Sequence, residues 1–168
     1  DAYNVAVGAQ AGSAVTTGTN NTLIGGLAGD AITTASNNVG IGLNAAGGTT
    51  TGGDNVAIGT NSLLTNTTGA SNVSVGTYAL NANTTASNNT AVGTSALTAN
   101  TTGNDNAGFG FKALTVNTTG NDNTASGAYS LQRNTTGSSN VSMGYDALGS
   151  NTTASNNTAV GYESLQAN

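Results

Sequence analysis

The chain has 168 residues, of which 25 are glycine, seven are acidic and two are basic, and it lacks proline, cysteine, histidine and tryptophan. Without cysteine there is no disulfide framework and no thiolate chemistry. Two cations cannot neutralise a phosphate backbone, so nucleic acid is excluded as a partner, and no apolar run approaches the roughly 20 residues that span a bilayer, so we expect no membrane insertion in this segment.

A 17-residue repeat runs through the whole sequence. Glycine recurs at every 17th position from Gly8 to Gly161, and an asparagine stands four residues before each of these glycines. Ten copies in register predict a repeat array, and we number the positions of each copy from its first asparagine. These position 1 asparagines are Asn4, Asn21, Asn38, Asn55, Asn72, Asn89, Asn106, Asn123, Asn140 and Asn157.

Each copy begins with alternating side chains, as in Val56, Ala57 and Ile58. Alternation of β-branched residues with period two indicates a short strand. The following A-L-x-x-N-T-T segment is a second candidate strand, and Gly with Asn or Asp then favours a turn. Because one such coil cannot bury its apolar face alone, we predict an all-β fold, a parallel β-solenoid (β-roll or β-helix) of ten 17-residue coils.

The solenoid is expected to form one domain over residues 1–168. At about 4.8 Å per coil it makes a rod of roughly 45–50 Å. Neither end carries a polar capping element, so we expect the rod to be a segment of a longer fibre or to be capped by neighbouring subunits.

Stacking places equivalent residues of successive copies above one another. We expect the position 1 asparagines to form an amide ladder along the axis, and the position 5 glycines to mark backbone that bends sharply or is closely approached. Positions 3 and 8 carry mostly Ala, Gly or Ser. These small residues are expected to give smooth faces that pack closely against another chain.

Positions 9 and 12 change together along the chain. In the first two copies position 9 is glycine and position 12 is Val15 or Ile32, and the third copy has Ala46 and Thr49. From the fourth copy onward position 9 is leucine and position 12 is asparagine. This exchange keeps core volume roughly constant, so both positions are predicted to face or border the interior, and valine is expected to be tolerated at the asparagines. The leucines are Leu63, Leu80, Leu97, Leu114, Leu131, Leu148 and Leu165.

The position 12 asparagines also begin N-T-T, an N-glycosylation acceptor pattern. Six acceptors in one column would make a glycan-coated fibre: Asn66, Asn83, Asn100, Asn117, Asn134 and Asn151. The alternative, which the volume exchange favours, is an internal amide ladder. Asn168 continues the column in the last copy.

Paired threonines occupy positions 13 and 14 in nine copies, from Thr16 and Thr17 to Thr152 and Thr153. Flat threonine arrays are typical of ice-binding solenoids. Because adjacent residues of a strand point to opposite faces, we expect only one outward column.

Two further sets of side chains are candidate binding groups. Asp105 and Asp122 occupy the same position in adjacent copies, and stacked carboxylates repel unless a cation bridges them. They are candidates for calcium, against the alternative of solvated turn carboxylates and no cofactor. Tyr145 and Tyr162 share position 6 and are expected to stack, either as a sugar-binding platform or as surface packing.

The spacing assembles no general base, metal cluster or phosphate loop, so no catalytic residue is predicted and we expect a protein that is not an enzyme.

Three segments resemble the head repeats of trimeric autotransporter adhesins, the YadA-like heads: NVAIGTNSL (55–63), NVSVGTYAL (72–80) and NTAVGTSAL (89–97). The longer unit with NTTG also resembles repeats of phage and viral tail fibres. The resemblance implies a left-handed β-roll, three chains packed about an axis, and an extracellular place on a cell surface, filament or virion fibre. We therefore expect a structural or adhesive fibre segment that attaches to a host surface or glycan and associates as a homotrimer or end to end. A tail-fibre shaft and an ice-binding solenoid are the alternatives.

Overall fold

The computed structural model describes residues 2–167, which form an all-β solenoid without a helix. Each coil contributes one three-residue strand, and the ten strands pair in parallel in chain order as one sheet. The predicted parallel β-solenoid is confirmed. The strands are β1 (Val5–Val7), β2 (Thr22–Ile24), β3 (Val39–Ile41), β4 (Val56–Ile58), β5 (Val73–Val75), β6 (Thr90–Val92), β7 (Ala107–Phe109), β8 (Thr124–Ser126), β9 (Val141–Met143) and β10 (Thr158–Val160).

Strand register follows the 17-residue period without a slip. Val56 pairs with Val73 and Ile58 with Val75, and the same offset holds between every pair of neighbouring strands. Equivalent residues of the repeat therefore form columns along the rod.

The second half of each coil is a run of turns, so the prediction of a second strand there was wrong. Positions 7 and 9 have positive φ in every copy, for example 58° at Ser95 and 51° at Leu97. This left-handed backbone interrupts the pleat that a strand requires. The coils are still hydrogen-bonded there, since Leu97 N donates to Ala113 O at 2.9 Å.

Glycine at position 5 is required by both backbone conformation and space. Gly76 has φ of 137°, and a Cβ built on it would lie 2.5 Å from the carbonyl oxygen of Gly93 in the next coil. An L side chain therefore fits neither the dihedral angle nor the gap between coils.

The strands direct their small side chains inward and their bulky ones outward. Ala91 at position 3 and Ala96 at position 8 are fully buried, whereas Ile58 and Val92 at position 4 are 37% exposed. The expectation that positions 3 and 8 pack against another chain was therefore wrong, because these small residues face the interior of their own rod, where Gly108 at position 3 lies against Leu97 of the preceding coil.

The core changes its composition along the rod. From the fourth to the ninth coil it is filled by position 9 leucines that are fully buried, and Leu165 in the last coil is 52% exposed. In the first coils Leu23 of β2 and Ile32 form a separate cluster. A Cβ on Gly29 would lie 2.6 Å from Leu23 Cδ2, so Leu23 occupies the space that the missing leucine leaves. The volume exchange therefore involves position 3 as well as positions 9 and 12.

We expect Leu97→Ala to lower the free energy of unfolding by about 2–5 kcal/mol, because it removes a fully buried side chain from a stacked column. Asp105→Asn is the control and should be near neutral, since Asp105 is exposed with φ of 58° and asparagine tolerates this backbone as well as aspartate does. Denaturant unfolding of the three proteins measures both effects. Equal losses would contradict the assignment of position 9 to the interior.

Candidate functional site

A ladder of asparagine side chains runs along the rod at position 1. Asn89 donates to Asn72 Oδ1 twice, from its backbone N at 3.0 Å and from its Nδ2 at 3.3 Å. The same pair of bonds joins every two neighbouring coils from Asn4 to Asn157. Each side-chain oxygen therefore holds the next coil in register.

A second ladder runs inside the coil at position 12. Asn100 Nδ2 donates to Asn83 Oδ1 at 3.1 Å and to Gly103 O at 2.9 Å, and Asn117 Nδ2 donates to Asn100 Oδ1 at 2.9 Å. Each interior amide thus has a partner in the coil before it, in the coil after it and in its own coil. The asparagines that are fully buried in this column are Asn66, Asn83, Asn100, Asn117, Asn134 and Asn151.

The two ladders share an acceptor at position 15. Gly69 O accepts from Asn55 Nδ2 at 3.0 Å and from Asn66 Nδ2 at 2.9 Å, and the equivalent carbonyl is shared in four further coils. The inner ladder begins at Thr49, whose Oγ1 lies 3.5 Å from Asn66 Nδ2. Within residues 2–167, Asn151 Oδ1 is the one buried side-chain polar atom without a partner, and Asn168, the next member of the column, lies outside the described residues.

Burial of the position 12 column agrees with the internal amide ladder that the volume exchange favours over a glycan-bearing surface. The Nδ2 atom that would carry the sugar is hydrogen-bonded inside the coil, as Asn66 Nδ2 is to Gly69 O. A sugar there would displace the amide from both its partners and the core. A glycan is therefore incompatible with the packing that the structure gives Asn66, Asn83, Asn100, Asn117, Asn134 and Asn151.

Two pairs of buried serines were missed in the sequence. Ser62 Oγ lies 2.7 Å from Ser74 Oγ, which donates to Ala79 O at 2.8 Å, and Ser130 and Ser142 repeat the arrangement. A signal was present, because serine occurs at position 3 only where the preceding copy has serine at position 8. When the coils stack, the two serines of each pair lie within hydrogen-bonding distance.

Both threonine columns reach the surface, so the expectation of a single outward column was wrong. Thr85 and Thr102 at position 14 are exposed and Thr84 and Thr101 at position 13 are partly exposed. The two positions lie in a bend, where the alternation of a strand does not apply. Thr84 Oγ1 donates to Thr101 O at 3.1 Å, and this bond recurs along the column, so the position 13 hydroxyl groups are engaged in coil stacking.

Backbone geometry accounts for Asp105 and Asp122. Both stand at position 17 with φ of 58° and 57°, a conformation that Asn, Asp and Ser tolerate better than larger residues. Both side chains are exposed. The described part of the chain contains no group of three His, Cys, Asp or Glu residues that could hold a metal ion, so a bridging calcium ion stays an untested prediction.

Aromatic rings form a continuous run across the last four coils. The ring centroids of Phe111 and Tyr129 are 5.3 Å apart, those of Tyr129 and Tyr145 are 5.6 Å apart, and Tyr145 and Tyr162 stack at 5.4 Å. Stacked rings cover each other's faces, which favours packing between coils over a flat platform for sugar. A hydrogen bond to the Glu163 carboxylate and its negative charge raise the pKa of the exposed Tyr162 phenol.

The outer face of the sheet carries no charge along the rod and is mostly apolar, except in β8, where it presents Thr124 and Ser126. Positions 2 and 4 of the ten copies carry Val, Ile, Phe, Met, Ala, Thr and one Ser, with no charged residue. We call these two columns the apolar ribbon. Its large side chains that are at least 37% exposed are Val5, Val7, Ile24, Ile58, Val92, Phe109, Val141, Met143 and Val160.

These features define a repeat protein of the parallel β-solenoid class. Residues 2–167 have no concave pocket. No helix in that range is long and apolar enough to cross a bilayer. The chain matches no family model, no curated protein and no solved structure, so the proposals below rest on the solenoid and its surface columns.

The inner ladder predicts a position-dependent cost for valine, which corrects the expectation that valine is tolerated throughout the column. Asn100→Val leaves Asn83 Oδ1 buried without a donor and should cost about 1–3 kcal/mol. Asn66→Val removes the long contact to Thr49 and one bond to Gly69 O, which keeps its bond from Asn55. It also removes the acceptor of one Asn83 Nδ2 bond, but Asn83 Nδ2 keeps its bond to Ala86 O, so no buried acceptor loses its last donor. We expect Asn66→Val to be the milder variant in denaturant unfolding; equal losses would contradict the ladder.

The serine pairs predict a non-additive double-mutant cycle. Ser74→Ala removes one of the two partners of Ser62 Oγ, which keeps the backbone oxygen of residue 74, and one of the two donors to Ala79 O, which keeps Leu63 N. The Ser62→Ala, Ser74→Ala double variant recreates the Ala pair found between other coils, as at Ala79 and Ala91. We expect a coupling energy of roughly 0.5–1 kcal/mol in thermal or denaturant unfolding. Strict additivity would mean that the two hydroxyl groups do not interact.

Proposed function

We propose that this chain is a segment of an extracellular structural or adhesive fibre, in which a stiff rod supplies length and a repetitive surface for attachment. The observation that supports the proposal is the unbroken stack of ten coils joined by the position 1 ladder. The resemblance to adhesin heads and tail-fibre repeats points to the same class of function.

Stiffness follows from the density of bonds between coils. Between the fifth and sixth coils, Asn89 makes two bonds to Asn72, Asn100 makes one to Asn83, and backbone bonds join the strands and turns. Bending the rod would stretch several of these bonds on one side at once. A rod of about 45–50 Å made this way is suited to holding a binding surface at a distance from its anchor.

The surface chemistry favours attachment over catalysis. The exposed groups of each coil repeat those of its neighbours, with threonines at position 14 and mostly Asn, Asp or Ser at position 17. Repetition gives many equivalent weak contacts whose avidity exceeds that of one site, whereas catalysis needs different groups converging on one point. We therefore propose a non-enzymatic protein whose partners are a host surface or glycan and further copies of itself.

The location and the attachment function are tested separately. Immunogold labelling of source cells or particles, with antibodies raised against the purified chain, should mark surface filaments, and label confined to the cell interior would refute an extracellular fibre. For attachment, the fluorescent rod is applied to a glycan array and to host cells. Binding by the rod that free monovalent sugar reverses supports an adhesive role, and no binding with surface label limits the role to structure.

Ice binding is a second candidate function, because the exposed position 14 column presents nine threonines at coil spacing. They are Thr17, Thr34, Thr51, Thr68, Thr85, Thr102, Thr119, Thr136 and Thr153. A thermal-hysteresis measurement on the wild type tests it, with Thr85→Lys, Thr102→Lys as the disrupted variant. Hysteresis that this variant loses would favour ice binding over attachment, and no hysteresis in the wild type would exclude it.

A further inference from the structure

We propose that the apolar ribbon is an interface at which a second copy of this chain packs face to face, giving a two-chain rod. This interface rests on one part of the proposed function, namely that a fibre assembles from copies of the chain. It is the surface by which they meet, and it reduces the expected three chains to two.

The narrow interior of the coil forces the bulky side chains of the strand, at positions 2 and 4, to point outward. Gly108 at position 3 shows the limit, since a Cβ there would lie 3.4 Å from Leu97 Cδ1 and 3.5 Å from Ala113 O. Larger side chains at position 3 fit only where position 9 is glycine, as Leu23 does beside Gly29. The strand therefore turns its bulky residues to the outside.

Apolar character on that outer face is not required by the coil itself. Thr90 and Thr124 at position 2 and Ser126 at position 4 lie in strands with the same register as their neighbours. Polar residues are thus compatible with both columns, yet most positions carry Val, Ile, Phe or Met. In a chain that is only 36% hydrophobic, this concentration on one exposed face indicates that another surface covers it.

The area of the ribbon matches a pairwise interface. Ten strands at about 4.8 Å and two outward columns roughly 7 Å apart give a face of about 48 by 10–12 Å, or roughly 500–600 Å². Two such faces bury roughly 1,000–1,200 Å² in total, which lies at the lower end of specific protein interfaces and above most crystal contacts. The ribbon is also at the upper limit of the apolar patches that monomers leave exposed.

Charge and periodicity favour a second copy as the occupant. Every charged side chain of residues 2–167 lies outside positions 2 and 4: Asp30, Asp54, Asp105, Lys112, Asp122, Arg133, Asp146 and Glu163. Two ribbons therefore meet without placing like charges in contact, although the chain carries a net charge of −5. Side chains of the facing sheet have the same spacing along the rod, so the ridges of one can interdigitate with those of the other over the full length.

The geometry of face-to-face packing favours two chains over three. Two sheets packed about 10 Å apart cover each other completely, whereas three flat ribbons around an axis leave part of each ribbon open. The apolar ribbon on each rod thus fits a pair.

Oligomeric state of the purified chain is the first test. Sedimentation equilibrium and native mass spectrometry are expected to show a dimer that dissociates on dilution. A monomer at tens of micromolar, or a trimer, would overturn the pair. A monomer that floats with neutral phosphatidylcholine vesicles would overturn it as well and assign the ribbon to lipid.

A charge-matched pair of variants then locates the interface. Val75→Lys, Val92→Lys places two ammonium groups on the ribbon near mid-rod, and Thr85→Lys, Thr102→Lys places two on the exposed threonine column of the same coils. The first is expected to weaken dimerisation by at least about 100-fold, because unpaired charges are costly in an apolar interface, and the second to leave it within a few-fold. Equal effects would overturn the assignment to the ribbon.

Cysteine cross-linking provides a readout that does not depend on the lysine variants folding. The chain has no cysteine, so Val92→Cys should form a disulfide-linked dimer on mild oxidation whereas Thr102→Cys should not. Cross-linking from Thr102→Cys with none from Val92→Cys would overturn the proposal. Immunogold label confined to the cell interior together with a dimer cross-linked through Val92→Cys would refute the fibre function and leave the interface standing. Label on surface filaments together with cross-linking from Thr102→Cys alone would refute the interface and leave the fibre function standing.

Discussion

The side-chain oxygen of the position 1 asparagine is the interaction on which the stack depends. It accepts two hydrogen bonds from the next coil, one from the backbone and one from the amide, as Asn72 Oδ1 does from Asn89. A strand of three residues makes too few backbone bonds to fix its register alone. The ladder supplies that register, and the second ladder at position 12 repeats the device inside the coil, with a shared carbonyl at position 15 linking the two.

A narrow interior is the second constraint, and the surface follows from it. Once a leucine from position 9 fills the coil, as Leu97 does, position 3 of the strand must be small and the larger residues must point outward. The same packing that stabilises one coil therefore places the bulky side chains of the strand on its outside. The packing inside the coil thus affects assembly, because it leaves bulky side chains on a surface that another chain can cover.

The proposed function depends on columns of equivalent side chains along the rod rather than on a pocket. Threonines at position 14 are exposed in all nine copies that have them, and the charged residues are dispersed over the rod. Such a surface offers equivalent contacts along one direction. The aromatic run at the last coils departs from the pattern, but its rings pack on one another between coils, so it also belongs to stacking.

The fold class follows from the repeat alone, because a 17-residue period leaves one way to bury short strands. The exchange of Val15 and Ile32 for leucine and asparagine also indicated the interior. Tertiary structure alone decided which face of the strand points inward, since alternation of Ala57 with its neighbours is the same for either choice. It also showed that the second half of the coil is built of turns, whereas the internal position of the N-T-T column was already favoured by the sequence. The physical reason is that burial and left-handed backbone depend on contacts between coils, which a pattern within one copy does not contain.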